Sequence, residues 1–459
     1  MDPNTRFLLY TRIPSIRTAE RAATLRIKEL VIGCHCITIN GTLYCYAIYQ
    51  VKDKILCRVS TGGRMSWNWI CDVDKFGIPD YITKAGNMLP GNNGQVEQNL
   101  FGVFDLENIP TNEGRLQKLE GILEVEKQRY NQLLSYCPKS NQVNDQQDEL
   151  GFSKFESFLY RRESTGIFNK ETLELLNNQE MVEKAMELLD KRVKKMEFEL
   201  LPFENKRNNI FPEFEIHVSK TEGDCEPCVI ERVKYTGEFH KAEDYLRDFM
   251  FSKRHHSVVV KNLKVKEQNC PIRMPRDLKL RITNLEVIES LPTIEMVRNV
   301  ETVKAMIDIS SSPLKMLKMS YEPYGGEQLD FEFIKKFEFL YLYDAFDLRL
   351  RFIQNIPNRI VKFRRPTNRF LQNQDFLALI RNWVETDKPI GTCFSFFIFK
   401  AEEEIAIQVL NTVKNGIDLA TVGDKCVNIP MKNSAILKIN YEHDENSRLF
   451  LKMAVVPVE

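Results

Sequence analysis

The chain carries no surplus of either charge. Its 459 residues hold 64 lysines and arginines against 64 aspartates and glutamates, a formal net charge of zero. Dedicated nucleic-acid binders carry a positive excess that neutralises phosphates; without one, nucleic acid is not an expected partner. Long apolar runs are missing too. One of the densest stretches, FSFFIF at 394–399, is strand-sized and far short of a bilayer span, so no membrane partner is expected. The opening MDPNTRFLLYTRIPSIRT has no basic segment followed by an apolar one and does not read as a secretory signal. Eleven cysteines, an odd number without framework-like spacing, suit a reducing compartment. The expected location is intracellular, cytoplasmic or nuclear.

Catalytic signatures are equally scarce. There is no GxSxG elbow, HExxH helix, Walker loop or kinase signature. The six histidines are scattered, and the adjoining His255 and His256 cannot share a face in a strand or a helix. MLPGNNGQ at 88–95 is a loop whose glycines follow no phosphate-binding spacing. No catalytic residue, metal ligand or cofactor is assigned, and the chain is expected not to be an enzyme.

What is present is globular: 43% hydrophobic and 28% charged residues, enough for two or three domains with a sizeable core. The expected class is α/β (α+β overall). A mostly-β N-terminal domain spans 1–110, a helical insertion with a polar linker spans 111–203, and a strand/helix region spans 204–459.

The stretch CHCITINGTLYC, Cys34 to Cys45, concentrates three cysteines and a histidine. Asn40-Gly41 is a strong type I′ hairpin signal between β-branched and aromatic residues. Folding about that turn pairs Ile39 with Thr42, Thr38 with Leu43, Ile37 with Tyr44 and Cys36 with Cys45. Cys34, Cys36, Leu43, Cys45 and Ala47 then share one face, while His35, Ile37, Ile39, Tyr44 and Tyr46 share the other. Only three ligands converge, short of a tetrahedral zinc site; Cys57, on a third strand KILCRV, is a conceivable fourth. The cysteines are expected as small hydrophobes on a buried face, with metal binding and redox chemistry as alternatives.

Beyond residue 111 the period changes. Leu116, Leu119, Leu123, Tyr130 and Leu133 recur at helical spacing, as do Val182, Met186, Leu189, Val193 and Met196. PKSNQVNDQQDEL at 138–150 reads as a polar linker. KRVKK at 191–195 reads as a solvated helix end. The CxxC of Cys225 and Cys228 precedes a strand rather than a helix, which points to a hairpin tip over a redox motif.

From 258 onward short strands recur: VVVKNLKV, LKLRITNLEV, LKMLKMS, FEFLYLYD, RIVKFRR and TCFSFFIFK. Asn262 and Asn284 occupy equivalent positions, and so do Leu263, Leu285, Leu317, Leu340 and Val361. Helical patterns such as QDFLALIRNWVE, with Phe376, Ile380 and Trp383 on one face, lie between several of them. A strand and a helix recurring every 21–34 residues or so is the pattern of a degenerate leucine-rich-repeat-like array. A compact α/β sheet with short crossovers is the alternative. If Leu340 and Leu342 point inward, Phe339, Tyr341 and Tyr343 point outward, and Lys362 and Arg364 point the same way. These five are the candidate partner-binding residues, because aromatics and arginine dominate interface hot spots. KFRRPTNR at 362–369 could serve RNA, but the zero net charge speaks against it.

Several stretches carry a family resemblance. DPNTRFLLYTRIPSIRTAERAATLRIKELVI with ITINGTLYCYAIYQ, GEFHKAEDYLRDFMFSKRHHSVVVKNLKV, IRMPRDLKLRITNLEV, PLKMLKMSY and FLALIRNWVETDKPIGTCFSF together resemble a nematode-expanded, F-box-associated family of uncharacterised proteins. The resemblance covers most of 1–105 and 200–400. It implies an F-box-like N-terminal element that docks on the adaptor of a cullin-type ubiquitin ligase, joined to a region that recognises a protein substrate. It implies no catalytic residues. The family has a further leucine-rich helix ahead of DPNTRF, so Phe7, Leu8, Leu9, Ile13 and Ile16 are expected to form only a truncated F-box.

Overall fold

The computed structural model describes residues 2–33, 35–52, 55–58, 73–78, 112–138, 145–159, 166–237, 239–266, 274–275, 277–288, 303–308, 314–320, 330–343, 348–364, 367–398, 403–432 and 434–458. The chain combines helices with a large mixed sheet, as an α/β class requires. It divides into two compact units. One comprises Met1–Cys45, Lys220–Cys228 and Asp244–Glu459; the other comprises Tyr46–Ser219 and Val229–Glu243.

In the first unit, β1 (Arg26–Gly33) pairs antiparallel with β2 (Cys36–Ile39), and β2 with the start of β3 (Thr42–Lys52). Both central turn residues have the positive φ that a type I′ turn needs, 51° at Asn40 and 85° at Gly41. Cys36 stands opposite Cys45, Ile37 opposite Tyr44, Thr38 opposite Leu43 and Ile39 opposite Thr42. That is the register the sequence predicts.

From Tyr46 onward β3 belongs to the second unit, where β4 (Ile55–Arg58) pairs antiparallel with it. The described helices here are Asn112–Ser135, Asp145–Leu159, the single turn Lys170–Leu173, and Gln179–Arg207. Leu133, Phe155, Phe168, Val182 and Leu189 form one apolar cluster; Leu119, Met196, Leu200 and Phe203 belong to another. Two expectations are corrected. Residues 145–150 open a helix rather than continue a linker, because glutamine and glutamate are good helix formers and polarity alone does not mark a loop. KRVKK lies in mid-helix, since the helix runs on through Pro202 to Arg207. Lys191 and Lys194 pair with Glu187 and Asp190 one turn earlier. Arg192 instead turns onto the buried Glu126 at 2.6 Å, which Arg129 also meets at 3.1 Å. β5 (Glu213–Glu222) leads into β6 (Cys228–Lys234) through the loop that carries the exposed Cys225. The CxxC is therefore a tip between strands, as expected.

The chain then lays down β7 (Val258–Lys266), β8 (Leu280–Ile288), β9 (Leu314–Ser320), β10 (Phe337–Tyr343), β11 (Ile360–Phe363) and β12 (Cys393–Phe397) in the first unit. From β8 on, each pairs parallel with its predecessor, and β7 pairs parallel with β1. β13 (Thr421–Gly423), β14 (Cys426–Pro430), β15 (Ala435–His443) and β16 (Leu449–Pro457) close the far end antiparallel, in the order β12-β16-β15-β14-β13.

Leu263, Leu285, Leu317, Leu340 and Val361 stand opposite one another across five adjacent strands. The row continues to Leu30 at one end and to Phe394, Met453, Ile439 and Val427 at the other. No member is more than 2% exposed. Each such side chain contributes about 1.5–3 kcal/mol by leaving water. The segments between strands bury on the same side, through Met250 and Phe251, Val303 and Met306, Phe333 and Ile334, Phe352 and Ile353, and Val409 and Val413. The predicted face of helix Gln374–Glu385, Phe376 with Ile380 and Trp383, is buried there as well.

The parallel strands do not alternate strictly. In β7 the inward residues are Val258, Val260, Leu263 and Val265, so two consecutive residues, Lys261 and Asn262, face away from the core. Pairing skips one residue at that level in strand after strand. Ile27 pairs with Val260 and Glu29 with Asn262, leaving out Lys28 and Lys261. Val260 pairs with Ile282 and Asn262 with Asn284, leaving out Thr283. Leu314 pairs with Phe337 and Met316 with Phe339, leaving out Lys315 and Glu338. In β1 the amides at this step, Lys28 and Glu29, both donate to Asn40 Oδ1, at 2.9 and 3.0 Å. The turn asparagine thus satisfies donors that the ladder leaves over.

Candidate interaction face

Because Leu340 and Leu342 enter the core, Phe339, Tyr341 and Tyr343 project from the opposite face of β10, all three half-buried. On β11, Ile360 and Lys362 do the same, and Arg364 follows just past its end. Phe339 stands opposite Ile360 and Tyr341 opposite Lys362. The Arg364 amide donates to the Leu342 carbonyl at 2.9 Å. Its guanidinium lies 5.6 Å from the Tyr343 ring centre and 3.4 Å from the phenol oxygen. All five residues singled out from the sequence therefore gather on β10, on β11 and just past the end of β11.

Sequence reasoning missed their neighbours in register. Met316, Phe339, Ile360, Cys393 and Ala454 form an apolar row across β9, β10, β11, β12 and β16. Beside it, Lys264, Glu286, Lys318, Tyr341, Lys362, Ser395 and Lys452 form a row with lysine at every second place. The positions flanking each member of the leucine row carried the signal. Asn262 and Asn284 are also partners across strands, with Asn284 Nδ2 donating to Asn262 Oδ1 at 2.7 Å.

The lysines are not equivalent. Lys264 meets Glu29 at 2.7 Å, and that hydrogen bond holds its ammonium above the ordinary range despite burial. Lys318 lies 3.8 Å from Glu286 and Lys452 3.3 Å from Glu442. Lys362 sits 4.0 Å above the centre of the Phe450 ring and 3.9 Å from Asp444. Desolvation lowers its pKa, with Arg364 and Arg448 adding repulsion and Asp444 opposing them. Its positive charge is thus disfavoured where it stands.

The cysteine expectation is corrected. Ile37, Ile39 and Tyr44 face the core, so Cys36 and Cys45 lie half-buried on the other side of the hairpin. The larger apolar residues claim the core because they remove more surface from water. His35 sits in the β1–β2 turn at φ 50° rather than on a strand, so strand alternation does not apply to it. Cys34 and the Cys57 side chain lie outside the described residues, as do 88–95 and 365–366. Among the described residues no three His, Cys, Asp or Glu side chains converge as metal ligands.

At the N-terminus, helix Pro3–Arg12 is capped by Asp2, whose carboxylate accepts from the Thr5 amide at 3.1 Å. Phe7 enters the core edge-on to Phe251, with ring centres 6.1 Å apart. Arg6 and Arg254 converge on the buried Glu20, at 2.9 and 3.1 Å. Of the F-box-like residues, Leu9 and Ile16 are half-buried, whereas Leu8 and Ile13 are 47% and 40% exposed.

Residues 238–400 match the family model of a domain of unknown function, DUF3557. The matched segment opens at helix Phe239–Phe251 and ends just past β12, so it takes in β7–β12 and the aromatic and cationic group on β10 and β11. No curated protein and no solved structure matches the chain. No helix among the described residues is long and apolar enough to cross a membrane.

Proposed function

We propose that the protein is a non-catalytic interaction module in which β7–β12, read as a degenerate leucine-rich-repeat-like array, hold a protein partner against their outward face. The inward residues support the array, because they repeat a hydrophobic-x-x-hydrophobic-x-hydrophobic spacing. Examples are Val260, Leu263 and Val265, then Ile282, Leu285 and Val287, then Phe337, Leu340 and Leu342. The observation that carries the reading is the gathering of Phe339, Tyr341, Tyr343, Lys362 and Arg364 away from the core. Tyrosine and arginine are among the residues most enriched in hot spots. Lys362 also keeps a cation that its surroundings disfavour, a cost in stability of the kind functional surfaces tolerate. Extending the F-box resemblance, the partner is a substrate brought to a cullin-type ubiquitin ligase. Leu8 and Ile13 are then the residues available to the adaptor, since Phe7 is committed to the core.

Affinity purification of the tagged full chain, scored for adaptor, cullin and further proteins, tests both parts. The expected result is a partner set lost by Tyr343→Ala/Arg364→Ala, and adaptor and cullin lost by Leu8→Asp/Ile13→Asp. If the face variant recovers the same partners as the parent chain, the interaction reading fails. If the parent chain recovers neither adaptor nor cullin, the ligase reading alone fails.

A further inference from the structure

The N-terminal hairpin brings two sulfurs together. Counting from the hydrogen-bonded pair Ile39–Thr42 beside the turn, Cys36–Cys45 is a non-hydrogen-bonded pair, the type whose Cα atoms approach to about 4.5 Å. That lies within the roughly 4.4–6.8 Å range that a disulfide needs. Both residues are half-buried thiols rather than half-cystines, and their sulfurs are hydrogen-bonded to each other. On the other side of β2, Gly33 stands opposite Cys36. A Cβ there would fall 2.8 Å from Cys36 Sγ, so the missing side chain is the slot the sulfur occupies. The buried Arg247 donates to the Gly33 carbonyl at 3.2 Å. Its charge and that of Lys266 both act on Cys36.

We propose that Cys36 and Cys45 are a redox modification site, a paired dithiol that closes to a cross-strand disulfide when a low-molecular-weight disulfide is the oxidant. One thiol loses its proton and attacks the small disulfide, forming a mixed disulfide and expelling one small thiolate. The second thiol loses its proton and attacks the protein sulfur of that mixed bond, expelling the other small thiolate. The two protein thiols give up two electrons and two protons, and the oxidant becomes two thiols. The hydrogen bond to Cys45, then burial, raise the Cys36 thiol far above its ordinary range against the pull of Arg247 and Lys266. Cys36 therefore holds its proton at neutral pH, and closure accelerates as pH rises.

The reduced full chain, exposed to oxidised glutathione over a pH series, then unfolded, alkylated and mapped by peptide mass, supplies the test. The expected product is a Cys36–Cys45 linked pair, two hydrogens lighter, forming faster at higher pH and reversed by dithiothreitol. Phenylarsine oxide, which bridges two neighbouring thiols, should block it stoichiometrically in the parent chain. In Cys36→Ser and in Cys45→Ser the remaining thiol should stay open to alkylation in its presence. Both thiols alkylating independently, a mixed disulfide that persists at either one, or pairing with another cysteine would each overturn the proposal. The mapping uses the parent chain, so its outcome does not depend on the folding of either variant.

Discussion

The parallel strands β7–β10 and the antiparallel pair β15–β16 share one core, yet they alternate differently. In β15 and β16 every second residue is inward without interruption: Ala435, Leu437, Ile439 and Tyr441 on one, Leu449, Leu451, Met453 and Val455 on the other. The parallel strands each take one extra outward step, always at the same level. Both partners skip one residue at the step, so it is shared between neighbours and is not a bulge of one strand against another. Two strands joined by the short turn Asp444–Arg448 have no need of it. The strands paired in parallel, β1 among them, carry it together, so the register stays matched above and below the step. The difference shows that the three-residue gap between inward positions is a property of the stack, not of any one strand.

The sharpest way to break that comparison is at its boundary. Phe396 on β12 is fully buried, stacked 4.8 Å from Phe363 on the parallel side and packed against Phe370 and Phe376. Phe396→Ala should cost about 3–5 kcal/mol, with urea unfolding still a single transition; two separate transitions would mean that the regions fold apart. Next comes Asn358, just ahead of β11, which donates to the Ile334 and Phe337 carbonyls at the start of β10, at 2.9 and 2.7 Å. Asn358→Ala should cost about 1–3 kcal/mol, read as a shift of the urea unfolding midpoint; an unchanged midpoint would show that the tie between β10 and β11 carries no stability. Asn40→Gly keeps the positive φ of the turn but removes the acceptor for the β1 step. Roughly 1–2 kcal/mol should be lost, with faster amide exchange at Lys28 and Glu29; unchanged exchange there would show that the step needs no outside acceptor.

The smallest effect concerns pH. Burial raises the Asp444 carboxyl, but the Arg448 and Asn446 amides, with the charges of Arg448 and Lys362, outweigh it and leave the pKa below the ordinary 3.8. A depressed folded pKa contributes stability above the unfolded value and loses it as pH falls through the folded one. Asp444→Asn should therefore lower the unfolding midpoint slightly near neutrality and flatten its fall below about pH 4, in a titration of unfolding midpoint against pH.

Much of the ladder was legible because its signal is local. The Asn262–Asn284 echo and the leucine row needed only spacing, and the orientation of Phe339, Tyr341 and Tyr343 followed from Leu340 and Leu342. The hairpin register followed from the turn. What escaped was decided by competition between faces or by distant chain. Alternation separates the cysteines from Ile37, Ile39 and Tyr44 but does not say which set meets the core; that depends on what β1 and β7 supply opposite. The helix at 145–159 hid because its first turns are polar. The strands after residue 420 alternate plainly enough, and the short turn at 444–448 would have shown β15 and β16 to be antiparallel. The aromatic and lysine rows run across strands that are tens of residues apart, and only register assembles them.

The first rung of the inner row sets a timetable. Leu30 finds its neighbour at Leu263, more than two hundred positions later, whereas every later parallel partner follows within a few tens of residues. At about 5–20 residues per second, a ribosome leaves β1 without its parallel neighbour for roughly 10–50 seconds. During that wait, the hairpin back to β2 and β3 is the pairing within reach, and it shields only one of the two edges of β1. The emerging N-terminus is thus the stretch where a chaperone would have most to do, and where a slowed or paused synthesis would leave the longest-lived sticky edge.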